Sequence, residues 1–160
     1  MTLPTRRQFL HRSTLATATV AGVQYLPARS WSQSVGANER LRLGLIGCGG
    51  MGIGDLATFF QVPATDGAVV CDVDDARIAE GVKLVEKERG HRPQTVKDFR
   101  RVLDQKDVDA VVIATPDHWH AVQTVHACES GKHVYVEKPA SVTVAEGQAL
   151  KQTARQFTDP

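Results

Sequence analysis

One short run constrains this chain more than any other. Leu41–Ile46 passes directly into Gly47-Cys48-Gly49-Gly50-Met51-Gly52. A short apolar run ended by glycines reads as a buried parallel strand. Just beyond it, Leu56, Phe59 and Phe60 stand at i, i+3 and i+4, the apolar face of a helix. The glycines at 47, 49 and 52 satisfy G-x-G-x-x-G, a weak signal alone but a specific one between a strand and a helix. The first glycine permits the tight turn, the second lets backbone approach a pyrophosphate, and the third lets helix and strand pack closely. Gly50 and Met51 complete the turn, and the helix N-terminus offers free N–H groups and a partial positive charge to phosphates.

The alternation continues. Residues 67–72 form a second apolar run, followed by a helical stripe at Ile78, Val82 and Val85. Thr95-Val96 suggests a brief third strand, and Phe99, Val102 and Leu103 a short helix. Residues 109–115 form the clearest strand, stopped by Pro116, with Asp117 placed to cap the next helix. That helix shows Val122, Val125 and Cys128 on one side and is ended by Gly131. His133–Val136 is a fifth strand, and Thr143-x-x-Glu146 is a capping box before a final helix. Strands alternating with helices in this way predict an α/β fold with a doubly wound parallel sheet over 41–157.

The second strand ends in Asp72, twenty residues after Gly52, where a ribose-binding carboxylate belongs. It accepts from ribose hydroxyls and repels a 2′-phosphate, so the expected cofactor is NAD. Arg77 leaves room for NADP. Asp74 and Asp75 read as turn and cap residues.

The first thirty residues differ from the rest. They hold Arg6, Arg7, Arg12 and Arg29 and no acid, although the 160-residue chain has a net charge of only +1. A basic, acid-free start on a mildly acidic body marks a targeting segment. Thr5-Arg6-Arg7-Gln8-Phe9-Leu10 resembles the bacterial twin-arginine signal, which implies the twin-arginine translocation machinery as a partner and a periplasmic or exported location. The run 15–26 is too short and polar for a stable membrane span, and Ala28-Arg29-Ser30 is a cleavage candidate. Residues 31–40 read as a polar linker. With a net charge of +1, nothing suggests a nucleic-acid or membrane-surface binder, so no nucleic-acid partner is expected, and a homo-oligomer is possible. Cys48, Cys71 and Cys128 are too few and too widely spaced for a disulfide framework and read as small buried residues.

Two segments carry chemistry at the carboxyl ends of predicted strands, where ligands bind in such sheets. They are Thr115-Pro116-Asp117-His118-Trp119-His120 and Glu137-Lys138-Pro139. With the glycine turn and Asp72-Val73-Asp74, their order and spacing resemble the Gfo/Idh/MocA oxidoreductase family. The resemblance implies reversible oxidation of a sugar, inositol or related polyol hydroxyl with a nicotinamide cofactor. It places the lysine of Glu-Lys-Pro, here Lys138, near substrate and nicotinamide as the catalytic group. A lysine at such a strand end takes the hydroxyl proton if its surroundings lower its pKa. The resemblance also puts Thr115, Pro116 and His120 beside the cofactor, with Glu137 touching the nicotinamide side or orienting Lys138. His118 and Trp119 are either cofactor-side wall or ordinary packing. No metal is expected, because His118 and His120 do not share a helix face and no third ligand follows at zinc-like spacing.

Two further readings stay open. An NAD-dependent glycosidase of the same superfold is the first, and Lys138 argues mildly against it, since that branch lacks lysine in the motif. The second is an inactive cofactor-binding fragment. The sequence supplies five strands where six are usual, and no second α/β substrate domain. The expectation is therefore a product truncated near Gln156, with an exposed edge at His133–Val136 prone to unwanted pairing.

Overall fold

The computed structural model describes residues 39–158. The twin-arginine segment and most of the linker lie outside them. Five strands form one parallel sheet: β1 Leu41–Ile46, β2 Thr65–Cys71, β3 Gln94–Val96, β4 Ala110–Ile113 and β5 His133–Val136, in the order β3-β2-β1-β4-β5. Helices α1 (Gly50–Phe59), α2 (Asp75–Arg89), α3 (Arg100–Leu103), α4 (His120–Glu129) and α5 (Val144–Thr158) alternate with them. This is the doubly wound arrangement that the alternation predicts.

β1 lies between β2 and β4. Leu41 pairs with Thr65 on one side, and Leu43 with Ala110 on the other. Both faces of the sheet are covered, so successive residues of one strand enter different cores. Leu43 and Leu45 pack with Leu56 and Phe60 of the α1 side and Val82 and Val85 of α2. Ile46 packs on the other face with Val69, Phe99, Val102 and Val111.

β2 begins at Thr65, two residues before the apolar run, and Thr65 and Asp66 are buried there. Both are satisfied, which is what makes polar residues tolerable inside a sheet. Thr65 donates its hydroxyl to the Phe59 and Val62 carbonyls, each at 2.8 Å. Asp66 lies 2.7 Å from His91 Nε2 and 3.5 Å from Arg42 Nη1. Although burial alone raises the Asp66 pKa, the bond to His91 and the charges of His91 and Arg42 bring it below the ordinary carboxyl range.

Three local expectations are corrected around α4. Asp117 does not cap it. Its Oδ1 accepts from the His118 N–H at 2.8 Å, and a 3₁₀ turn over Asp117–Trp119 intervenes before the helix. The face of α4 turned to the sheet is also different. His120, Ala121, Gln123 and Ala127 are buried, whereas Val122 is exposed. Val122 and Val125 face a groove toward α5, with Glu146 and Ala149. Cys128 is consequently only half-buried, unlike Cys48 and Cys71. Two polar residues occupy the inner face because each binds the neighbouring loop, as described below.

Three other helix ends follow the sequence. Gly131, at φ 71°, stands just past α4, with Gly131 N–H bonded to Cys128 O and Lys132 N–H to Ala127 O, a Schellman closure. The capping box is formed, since Glu146 Oε2 accepts from the Val142 and Thr143 N–H groups and Thr143 Oγ1 accepts from Glu146 N–H. Asp74 caps α2 by accepting from Ala76 N–H at 2.8 Å. Among the described residues no strand lies beyond β5.

Candidate cofactor site

The turn from β1 to α1 is set by two glycines. Gly47 has φ 93°, and a Cβ on it would lie 2.7 Å from the Ala114 carbonyl and the Thr115 nitrogen. A side chain at 52 would collide with the Gly47 carbonyl oxygen. Any substitution at either position thus forces β1, the turn and the β4 loop apart. At Gly49 and Gly50 a Cβ would meet nothing, because both face open space. α1 starts there with no side chain capping it and no acid in its first turn, so its N–H groups are free for an anion.

Asp72 closes the turn from the β2 side. Its Oδ2 accepts from the Cys48 N–H at 2.8 Å and its Oδ1 from the Asp74 N–H at 3.0 Å. The carboxylate therefore fixes the glycine turn and the start of the β2–α2 loop together, and keeps lone pairs for a ribose. The neighbouring thiols are inert. Burial, reinforced by the Asp72 charge, pushes both Cys48 and Cys71 up to about 12, far from the thiolate range.

These pieces surround a cleft of about 650 Å³ at the carboxyl end of the sheet. Of the residues singled out in the sequence, Gly47, Gly49, Gly50, Met51, Asp72, Thr115 and Pro116 line it, and Gly52 is buried beneath the turn. Trp119 is part of the wall and His118 is not. The β3–α3 loop, Lys97 to Phe99, with Arg100 at the start of α3, closes the far side and carries no sequence signal for binding. Phe99 meets Trp119 at 6.5 Å between ring centroids. The cations at the rim are already paired: Lys97 with Asp75 at 2.9 Å, Arg100 with Asp98 at 3.1 Å, and Arg77 with Glu80 at 3.2 Å.

His120, Glu137 and Lys138 do not line this cleft. His120 is buried, with Nε2 2.7 Å from the Thr115 carbonyl and Nδ1 2.8 Å from the Pro139 carbonyl. It staples the β4 loop to the Lys138-Pro139 segment, whose peptide bond is cis. Glu137 continues from β5 with its N–H on Ile113 O, and its Oε1 accepts from the Tyr135 hydroxyl at 3.1 Å. That bond raises the Tyr135 pKa, and burial followed by the Glu137 charge raises that of Asp55. Lys138 is exposed and forms no hydrogen bond or ion pair among the described residues. Among those residues, no cluster of three or more metal-ligating side chains occurs.

An uncapped helix N-terminus over a bare glycine turn, a carboxylate at the end of β2 and an aromatic-walled cleft at the strand ends define a dinucleotide-binding domain of the Rossmann class. The family model described as an oxidoreductase family with an NAD-binding Rossmann fold, GFO_IDH_MocA, matches residues 41–158, and the chain belongs to that family. The chain is 32% identical over 120 residues to an alpha-N-acetylgalactosaminidase of Shewanella oneidensis, across 72% of this chain and 26% of that protein. It thus spans about a quarter of the length of such relatives. Among solved structures it resembles the WlbA dehydrogenase of Chromobacterium violaceum in complex with NADH and UDP-GlcNAcA. The TM-score there is 0.64 and the identity 25%, over 77% of this chain and 34% of that one. It equally resembles the scyllo-inositol dehydrogenase of Lactobacillus casei, with TM-score 0.63 and 25% identity over 74% and 34% of the two chains. The domain is therefore a nicotinamide-dinucleotide-binding domain of the oxidoreductase type.

Proposed function

We propose that this domain holds NAD for the oxidation of a sugar or polyol hydroxyl, with Lys138 as the group that takes the hydroxyl proton. The observation that carries the reading is the placement of Lys138. It stands past the end of β5, unpaired among the described residues, and is tied through Pro139 and His120 to Thr115 at the cleft wall. A nicotinamide held at this site would supply the acceptor for the hydride of the carbinol carbon. The Lys138 amine receives the proton of the same hydroxyl, and a carbonyl is left. Asp72 orients the adenosine ribose, and its charge, with the rim cations already paired, favours NAD over NADP. The sugar-linked and inositol-linked names of the solved neighbours support the substrate class.

The test is the growth of nicotinamide absorbance when a polypeptide carrying this domain is given NAD and a panel of inositols and hexoses. Reduction of NAD by at least one of them, abolished in Lys138→Ala, is expected. Turnover that survives Lys138→Ala would overturn the assignment.

A second reading is favoured by the name of the Shewanella oneidensis relative. In it the same hydride step is transient and serves to cleave a glycoside. Release of free sugar from an aryl glycoside without net NADH would establish it, and net NADH would exclude it. Residues 1–30 direct export in either case. Replacing Arg6 and Arg7 by lysine should leave the protein in the cytoplasm.

A further inference from the structure

Gln123 is the polar side chain that the glycine turn, Asp72 and Lys138 leave unexplained. It is 4% exposed and lines the cleft from the inner face of α4. One end of its amide is occupied, since Oε1 accepts from the Thr115 hydroxyl at 2.7 Å. Nε2 has no partner among the described residues, yet it is not sealed from solvent. A buried amide with one end pinned and the other open to a cleft is a donor held ready for a ligand, because leaving such a donor unmade once the cleft is filled is costly.

The position says which part of the ligand it meets. The α1 N-terminus takes the pyrophosphate and Asp72 the ribose, which leaves the base for the remaining part of the cleft. Its walls are apolar and aromatic, with Val73, Phe99 and Trp119. Trp119, at the end of the 3₁₀ turn, and Gln123, in the helix that follows it, both line this cleft. The Phe99–Trp119 pair suits a flat ring. A purine edge offers ring nitrogens that accept hydrogen bonds, and the free Nε2 donates.

We infer that Gln123 is the base-reading residue of this site: held by Thr115, its Nε2 donates to a ring nitrogen of the adenine. This rests on the reading of the cleft as the cofactor site. It makes Gln123 a specificity-determining residue that the glycine and aspartate signals do not reveal.

The experiment uses the full 160-residue chain labelled with nitrogen-15. The Gln123 side-chain amide pair, assigned by its loss in Gln123→Leu, should shift on adding adenosine and stay in place on adding ribose 5-phosphate. By calorimetry, Gln123→Leu should bind NADH roughly tenfold more weakly, the worth of one hydrogen bond. Should Gln123→Leu not fold, Gln123→Glu keeps the length of the side chain, removes the donor and should show the same weakening. An amide that ignores adenosine, or variants that bind NADH as the wild type does, would overturn the assignment of Gln123 alone. A wild-type chain that binds neither NADH nor adenosine would instead overturn the cofactor site.

Discussion

Asp72 shows how much one residue can hold in this site. The sequence places it for the ribose, and the structure adds that it pins the Cys48 and Asp74 N–H groups. Asp72→Ala should therefore lower NADH affinity by more than a ribose contact is worth, on the order of 30-fold or above, since bonds to a carboxylate are about twice as strong as neutral ones. Fluorescence titration with NADH checks this, and Asp72→Asn, which can still accept from Cys48, should recover part of the loss. Lys138 is the opposite case. Nothing in the described fold leans on it, so Lys138→Ala should change unfolding free energy by no more than about 0.5 kcal/mol while removing activity. The glycines and Asp72 were legible because backbone geometry and charge demand those residue types at those spacings, whereas Thr115 and Pro116, which line the cleft, were pointed to by the family resemblance. Gln123 and residues 97–100 were not legible, because what matters there is which way a helix is rotated and which loop folds over the strand ends. Neither is written in local periodicity.

Among the elements, β2 and β5 carry the clearest consequences. Asp66, the second residue of β2, is buried, and its folded pKa is lowered through His91 and Arg42. A lowered carboxyl pKa contributes stability that is complete above the unfolded value, about 4, and is lost as pH falls through the lower folded value. Urea midpoints should therefore drop between pH 5 and pH 3 in the wild type. Asp66→Asn should cost about 1–3 kcal/mol at neutral pH and show a smaller drop over that range. β5 is a free edge among the described residues. His133 N–H and Glu137 N–H bond to the β4 side, so by alternation the Val134 N–H points outward. Val134→Pro removes that outward donor without breaking a ladder bond. It should reduce any concentration-dependent association seen by light scattering, while far-ultraviolet circular dichroism stays the same. β1, β4 and the apolar part of β2 were legible because a parallel strand buried on both faces is a continuous apolar run. α4 was misread because its valine stripe packs toward α5, while His120 and Gln123 take the inner face through bonds that periodicity does not weigh.

At the scale of the molecule, the order β3-β2-β1-β4-β5 puts the first strand at the centre. The alternation of elements made the doubly wound class readable, since right-handed crossovers leave few other arrangements. The same order sets a timetable for folding. β1, α1 and β2 close over a short stretch of chain, but β1 cannot gain its second neighbour until residues near Ala110 arrive, 67 positions after Leu43. The first half of the sheet thus waits with one side of its central strand open, and long-range closure sets the pace. In the finished protein this reverses into protection. β1 is flanked on both sides, so its amides should be the last to exchange with deuterium, while those of β3 and β5 exchange early from the margins.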